Sequence, residues 1–320
     1  MKPLFWIANK NKPFFSIVIP THGRLSLLEE SLDSLKKLNE NDFEIIISDD
    51  THSKKERKTI IEWAQELHKA LNANVTYIFT KSNLGQSKNT NQGLHYVQGD
   101  WIRILHSDDI LHPNIFKYER NIIEDNNDVS IIYHSVTQFT KLNEIKYDLI
   151  SRPTYYKTDA YHMIIYGLHT FCALPSSLLF RKEFLEVTGG FNDKMKRACD
   201  WEFYSKLIMH SFNVNKKIVQ FKPGMIFYRK HDLSNTNKIK TQLSNYIEYK
   251  KISYSIIKFL KQNPQHFGFL EVNLYKSCAF SYRTSRLVKD FKSLNLLFKL
   301  IFLKKFLNLI FESEKEKLEF

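Results

Sequence analysis

The 320 residues suffice for one large α/β domain with an appendage or for two modest domains, and a composition 43% hydrophobic and 14% aromatic excludes a disordered chain. The net charge of +13 is uneven, because residues 238–320 carry 16 Lys and Arg against 7 Asp and Glu, a net of +9 that leaves +4 for residues 1–237. A basic tail on a nearly balanced body points to an anionic surface; with no helix-turn-helix, zinc-finger or RNA-binding signature, nucleic acid is excluded as that partner.

Phe14–Pro20 (FFSIVIP) is a short apolar, β-branched run closed by a Pro-Thr turn, and it reads as a buried strand. Over 24–38, Leu25, Leu28, Leu32 and Leu35 fall at helical spacing. Phe43–Ser48 (FEIIIS) predicts a second strand stopped by Asp49-Asp50, and Ile60, Trp63, Ala64, Leu67 and Leu71 mark one face of a second helix. Val75–Phe79 is a third strand, 86–97 a third helix, and Ile102–Leu105 a fourth strand ended by His106-Ser107-Asp108-Asp109. This alternation predicts an α/β fold with a Rossmann-like, mostly parallel, doubly wound sheet. Such sheets bind ligands at the carboxyl ends of their strands, where both acidic pairs fall.

Beyond Val129 the pattern is less regular. Val129–Phe139 and Ser176–Phe180 read as strands, Gly189-Gly190-Phe191 as a turn and Trp201–Met209 as a helix. From about residue 240 the periodicity is helical to the end. Leu294–Phe311 is strongly apolar, but Lys299, Lys304 and Lys305 interrupt it and make it a poor transmembrane span. It suits either a helix lying on an anionic membrane surface or one packed on protein. Cys172, Cys199 and Cys278 have no paired spacing, and the apolar stretch Leu4 to Ala8 is too brief for a signal sequence. Reduced thiols in a cytoplasmic protein are expected, peripheral on the inner face of the membrane if the tail engages lipid.

Taken singly, the chemical signals stay ambiguous. Asp108-Asp109 is an acidic pair that can hold Mg²⁺ or Mn²⁺ together with diphosphate oxygens, or it is a solvated turn. Asp50 can accept a pyrimidine N–H or cap the helix that begins near Lys54. Asn83-Leu84-Gly85-Gln86-Ser87 is an ordinary loop and cap, or a flexible backbone beside phosphate. Tyr155, Tyr156, Tyr161 and Tyr166 are a sugar-stacking platform or core. His95, His112, His162 and His169 lack ligand-like spacing and are assigned to surface or packing, as Cys199 is to a small buried position.

In order, SIVIPTHGR, EIIISDD, NLGQSKNTNQG and GDWIRILHSDD, followed by SSLLFRKEFLEVTGGFND, CDWEFYSKL and YRKHDLSNT, make seven blocks over about 14–236. Together they resemble the family-2 glycosyltransferases of the GT-A fold. The resemblance implies a catalytic domain over 1–237, with its donor-binding half at about 14–110 and its acceptor half at about 111–237. The basic helical extension would occupy 238–320. The implied activity is inverting, metal-dependent transfer of a hexosyl-type sugar from a nucleotide-diphosphate donor, a UDP-sugar, to a hydroxyl of a glycan or lipid-linked acceptor. Relatives of this layout build bacterial lipopolysaccharide or capsule.

Residue by residue, the resemblance gives Pro20 and Thr21 to the donor base and ribose pocket and Asp50 to the pyrimidine ring. His22, Arg24, Asn83, Gly85, Lys88 and Ser107 fall among the donor-binding positions. Asp108 would bind Mn²⁺ or Mg²⁺, Asp109 would support it or touch the donor, and His231 would reach the metal or the diphosphate. Asp200 would be the catalytic base; its plainer reading is a helix N-cap before Trp201. The chain departs from the family pattern at His22-Gly23, Thr51-His52 and Asn89-Thr90, and at His106, which stands where the first Asp of D-x-D is expected. A non-catalytic sugar-nucleotide or glycan-binding relative is the alternative. A nucleotidyltransferase is disfavoured, since Phe15–Arg24 contains a single glycine.

Overall fold

The computed structural model describes residues 2–8, 11–147, 154–164, 174–196, 198–231, 242–269, 271–273 and 275–276. The predicted alternation is realised as β2 (Phe15–Thr21), α1 (Leu25–Leu35), β3 (Phe43–Asp49), α2 (Lys54–Leu71), β4 (Asn74–Phe79), α3 (Gln86–Leu94) and β5 (Trp101–Ile104). A short strand, β1 (Leu4–Trp6), precedes them and pairs antiparallel with β4. Strands β4, β3, β2 and β5 lie side by side and parallel.

These strands are mostly apolar because both sheet faces are covered. Ile17, Ile19, Ile45 and Ile47 face one hydrophobic cluster with Leu28 and Leu32 of α1 and Ile60 and Leu67 of α2. Val18 and Ile46, one step out of phase, face the other cluster with Leu94 of α3. Each such buried side chain contributes about 1.5–3 kcal/mol. Helix α3 lies so close to the sheet that a Cβ at Gly93 would come 2.5 Å from Val18 Cγ1. Helix α2 starts where Ser53 Oγ accepts from Glu56 N–H at 3.2 Å, and it ends at Asn72 in the left-handed region.

The second half adds β6 (Ile110–Leu111), α4 (Ile115–Asp125), β7 (Val129–Phe139), β8 (Thr154–Asp159), the short helix α5 (Ala160–His162), β9 (Leu178–Arg181), α6 (Lys182–Thr188), α7 (Cys199–Asn213), β10 (Lys217–Arg229) and α8 (Gln242–Gln262). Among the described residues the sheet order is β1-β4-β3-β2-β5-β9-β7-β10-β6, with β8 on β10. Here the pairing is mixed: β9 runs antiparallel to β5 and β7, and β10 runs parallel to β7. Strand β10 slips register between Phe221 and Ile226, at Gly224, where an added Cβ would lie 1.1 Å from Ser135 O. Only glycine permits that approach. Part of the predicted Ser176–Phe180 strand is a 3₁₀ turn over Pro175–Ser177, which turns Ser176 toward the end of β5.

Helix α8 belongs to the basic region, and Ile252, Ile256 and Leu260 sit in the same cluster as Phe203 and Leu207 of α7. No helix among the described residues is long and apolar enough to cross a membrane. Leu294–Phe311, Cys172, Cys278, Tyr166 and His169 lie outside the described residues.

Candidate active site

The end of β3 splits its acidic pair. Asp49 points inward, fully buried, and accepts from Thr51 N–H at 2.8 Å and from the Tyr77 hydroxyl at 2.7 Å. Burial raises its pKa, and the hydrogen bonds from Thr51 and Tyr77 offset this only in part. Asp50 faces the strand ends: Oδ2 accepts from Leu84 N–H at 3.0 Å, and Oδ1 lies 2.9 Å from His22 Nδ1. Asn83 joins the group, with Nδ2 3.4 Å from His22 Nε2 and Oδ1 accepting from Gly85 N–H at 2.9 Å. Asp50, His22, Asn83 and Gly85 are therefore one patch. Asp50 does not cap α2, since Ser53 does.

Between β2 and α1 the chain turns through Gly23 (φ 65°) and Arg24 (φ 55°). A left-handed non-glycine residue costs about 1–2 kcal/mol. The turn brings the Arg24 guanidinium to Asp108, with Nη1 3.0 Å from Oδ2. His231, just beyond β10, reaches the same oxygen, its Nε2 also at 3.0 Å. Burial works to raise the pKa of Asp108, but His106, Arg24 and His231 outweigh it and hold the carboxyl below its ordinary range. His106 is pushed down, mainly by burial, which favours the neutral imidazole a metal requires.

Asp109 turns the other way. It is fully buried, with Oδ2 accepting from Ser176 Oγ at 2.5 Å and Oδ1 accepting from Arg229 N–H at 3.2 Å. Burial, then the charge of Asp108, pushes its pKa up to about 7. One ligand atom from each of His106, Asp108 and Asp109 lies within 4.8 Å of the others. Two carboxylates and an imidazole so close suit Mn²⁺ or Mg²⁺ with oxygens from elsewhere completing the shell.

Sequence reasoning missed the residues that brace this cluster. Arg229 Nε donates to Asp108 O at 3.0 Å, its guanidinium pairs with Glu30 of α1, and it lies over the Phe139 ring. Ser176 accepts from His106 N–H at 3.0 Å while binding Asp109, and its carbonyl accepts from buried Arg103 at 2.5 Å. Arg103 is paired in turn with Glu119 of α4, which also meets His134 Nε2 at 2.7 Å. Arg103, inside an otherwise apolar strand, was the one available signal: a buried cation demands a partner.

Asp200 lies in the first turn of α7, with Ala198 rather than Asp200 at the N-cap. The cap reading therefore fails. Its Oδ1 accepts from Trp201 N–H at 2.8 Å, and burial pushes its pKa up to about 6 despite that bond. The segment before it rests on the start of α3: Ser87 Oγ donates to Met195 O at 3.4 Å, and Lys88 Nζ lies 3.8 Å from Asp193 Oδ2. Gln86, at the head of α3, reaches within 3.5 Å of His106 Nε2. Asn89 ties the strand ends to the same helix, its Nδ2 donating to Thr21 O at 3.1 Å. Thr21 and Ser107 are buried, and Pro20 is half-buried at the end of β2. Tyr155 and Tyr156 are exposed on β8, whereas Tyr161 stacks on Phe267 at 5.1 Å. His112 is a packing residue, its Nε2 3.2 Å from Tyr147 O.

The chain and its fold are similar to known proteins. The chain is 23% identical over 263 residues to an uncharacterised glycosyltransferase of Methanocaldococcus jannaschii, MJ1057, covering 82% of this chain and 84% of the relative. Its fold matches TarS 1–349 of S. aureus in complex with UDP-GlcNAc, with a TM-score of 0.60 at 16% identity over 84% of this chain and 80% of that one. The mannosyltransferase PcManGT of Pyrobaculum calidifontis, in complex with GDP-Man and Mn²⁺, shares the fold at a TM-score of 0.53 and 14% identity, over 96% of this chain and 83% of its own. The model of glycosyl transferase family 2 matches residues 16–188. That match runs from β2 through α6, more than half of the chain, so this protein belongs to glycosyl transferase family 2 and is a glycosyltransferase acting on nucleotide sugars.

Proposed function

We propose that this protein is an inverting, metal-dependent transferase that moves a sugar from a UDP-sugar to a hydroxyl of a glycan or lipid-linked acceptor in surface-glycan synthesis. The observation that carries the metal is the His106–Asp108–Asp109 cluster at the end of β5. Asp108, with His106 and His231 at hand, would hold Mn²⁺ or Mg²⁺. Bound there, the ion would neutralise charge on the departing nucleoside diphosphate. Asp50 accepts from the base N–H, and His22, Asn83 and Gly85 frame that pocket, with Pro20 and Thr21 at its floor. Arg24, Lys88 and Ser107 line the donor's path toward the metal residues. The acceptor oxygen bonds to the anomeric carbon as the bond to the diphosphate oxygen breaks and its electron pair leaves with the diphosphate. The acceptor proton passes to Asp200, whose raised pKa makes it a stronger base than an exposed aspartate. Residues 1–237 form the catalytic unit in this reading. The basic extension holds the enzyme near an anionic membrane that carries the acceptor.

Thermal stabilisation by nucleotide sugars, with and without Mn²⁺, tests the binding part. UDP-sugars are expected to stabilise the protein, more with the metal; stabilisation by GDP-mannose alone would overturn the donor assignment. Asp200→Asn should keep that stabilisation and lower transfer by about two or more orders of magnitude. Near-normal turnover in that variant would remove Asp200 as the base, and a product of retained anomeric configuration would remove the inverting mechanism.

A further inference from the structure

Helix α7, which carries Asp200, opens without a cap of its own. Ala198 at its N-cap offers no side-chain oxygen, and alanine is among the poorest residues there. The first N–H groups of a helix need partners from outside it. Two backbone donors just ahead of Asp200 find them on one residue of α8. Glu248 Oε2 accepts from Ala198 N–H and Oε1 from Lys196 N–H, both at 2.9 Å. Next to it, Tyr249 packs against Trp201 with ring centroids 5.2 Å apart, and Ile252, Ile256 and Leu260 seat α8 in the cluster beneath α7.

We propose that Glu248 is a positioning residue for the transfer reaction, a clamp from α8 that holds the start of α7 and with it the Asp200 carboxylate. This rests on the reading of Asp200 as the base. One carboxylate binding two N–H groups two residues apart fixes the backbone on the N-terminal side of Asp200. Asp200 Oδ1 is tied to Trp201 N–H on the other side. Charge acts in the same sense. Among the described residues the ionisable groups facing Asp200 are Cys199 and Tyr204 of α7 and Glu248 of α8. After burial, Glu248 is the group that opposes ionisation of Asp200, against the pull of the α7 N-terminus. A neutral side chain at 248 leaves Asp200 a weaker base.

Two readouts on the full-length protein need neither donor nor acceptor. In ¹³C-aspartate-labelled protein, the Asp200 carboxyl signal is assigned by its loss in Asp200→Asn. Its titration midpoint is expected near 6 in the wild type and about half a pH unit or more lower in Glu248→Gln. Amide hydrogen exchange at Lys196 and Ala198 should quicken about tenfold in Glu248→Gln and in Glu248→Asp. Glu248→Asp keeps the charge but shortens the reach, so its Asp200 midpoint stays near that of the wild type. An unmoved midpoint in Glu248→Gln, with both amides still protected, overturns the proposal. Should Glu248→Gln not fold, unchanged amide protection in Glu248→Asp does the same. Release of UDP from UDP-GlcNAc with Mn²⁺ separates this proposal from the reading beneath it. Full release in Asp200→Asn removes the base itself. Loss in Asp200→Asn beside a wild-type rate and pH profile in Glu248→Gln removes Glu248 alone.

Discussion

The ends of β3 and β5 carry the same two letters and use them in opposite order. At the end of β3 both aspartates are buried, but the first, Asp49, bonds Tyr77 within the sheet and the second, Asp50, meets His22 and Leu84 beyond it. At the end of β5 the first, Asp108, meets Arg24 and His231, and the second, Asp109, is buried against Ser176 and Arg229. Strand phase explains the exchange. Asp49 is the last residue of β3 and keeps its register with Phe79, whereas Asp108 lies four residues past the end of β5, where the chain has left the sheet. Each pair thus divides into a member that anchors the strand end and one that faces the site. Burial raises Asp49 and Asp109, whereas the cationic neighbours of Asp108 hold it low.

Substitutions can break this division. Asp108→Ala is expected to have the largest effect, lowering transfer by about 100-fold or more and abolishing the metal-dependent part of nucleotide stabilisation while the fold is retained. Full activity in that variant or in excess chelator would sink the metal assignment. Asp50→Ala should weaken UDP binding by roughly 10- to 100-fold, the worth of a hydrogen bond to a charged group, beyond the modest loss of stability that follows from freeing Leu84 N–H. Asp49→Ala should do the reverse. It leaves the buried Tyr77 hydroxyl without its acceptor, costs about 1–3 kcal/mol of stability, and keeps UDP affinity within about threefold. Calorimetry on both variants decides, since equal losses of affinity would erase the distinction between the two residues.

Asp109→Asn sharpens the comparison through pH. A carboxyl raised to about 7 in the folded protein, against about 3.9 unfolded, favours folding while it is protonated. That stability is fully present below about pH 4 and is lost as pH rises through about 7. Asp109→Asn has no proton to lose, so its melting temperature in chelator should fall less than the wild type's between about pH 5 and pH 8. Parallel curves would show that Asp109 is not the group titrating.

The alternation of strands and helices up to β5 was legible because parallel strands buried on both faces carry consecutive β-branched apolar residues, as IVI and III do at the centres of FSIVIPT and FEIIISD. Strand β10 was not: Lys217, Gln220 and Lys222 interrupt it, and Gly224 resembles a turn until Ser135 is seen against it. Asp50, Asp108, Asp200 and His231 were singled out by the order of the blocks. The resemblance had Asp109 support the metal or touch the donor, and what it could not foresee is that Ser176 and Arg229 are the partners of its two oxygens. Ser176 and Arg229 escaped notice because each stands at the end of its run, where a polar residue calls for no buried partner, unlike Arg103 inside β5. Glu248 escaped because a cap supplied from 50 residues away leaves no local pattern.

Arg229 and Glu30 stand 199 positions apart, and Arg229 also holds the backbone of Asp108 across 121. During synthesis from the N-terminus, the strands of the parallel block emerge long before β10 does. Contacts between distant parts of a chain form late and slowly, because a long loop must close before they contribute. The acidic cluster at the end of β5 therefore spends the middle of synthesis without the arginine that braces it and without His231. The cluster gains Arg229 and His231 only when β10 adds beside β7. A chain stopped before that point carries β1 through β5 and still lacks the clamp on Asp108.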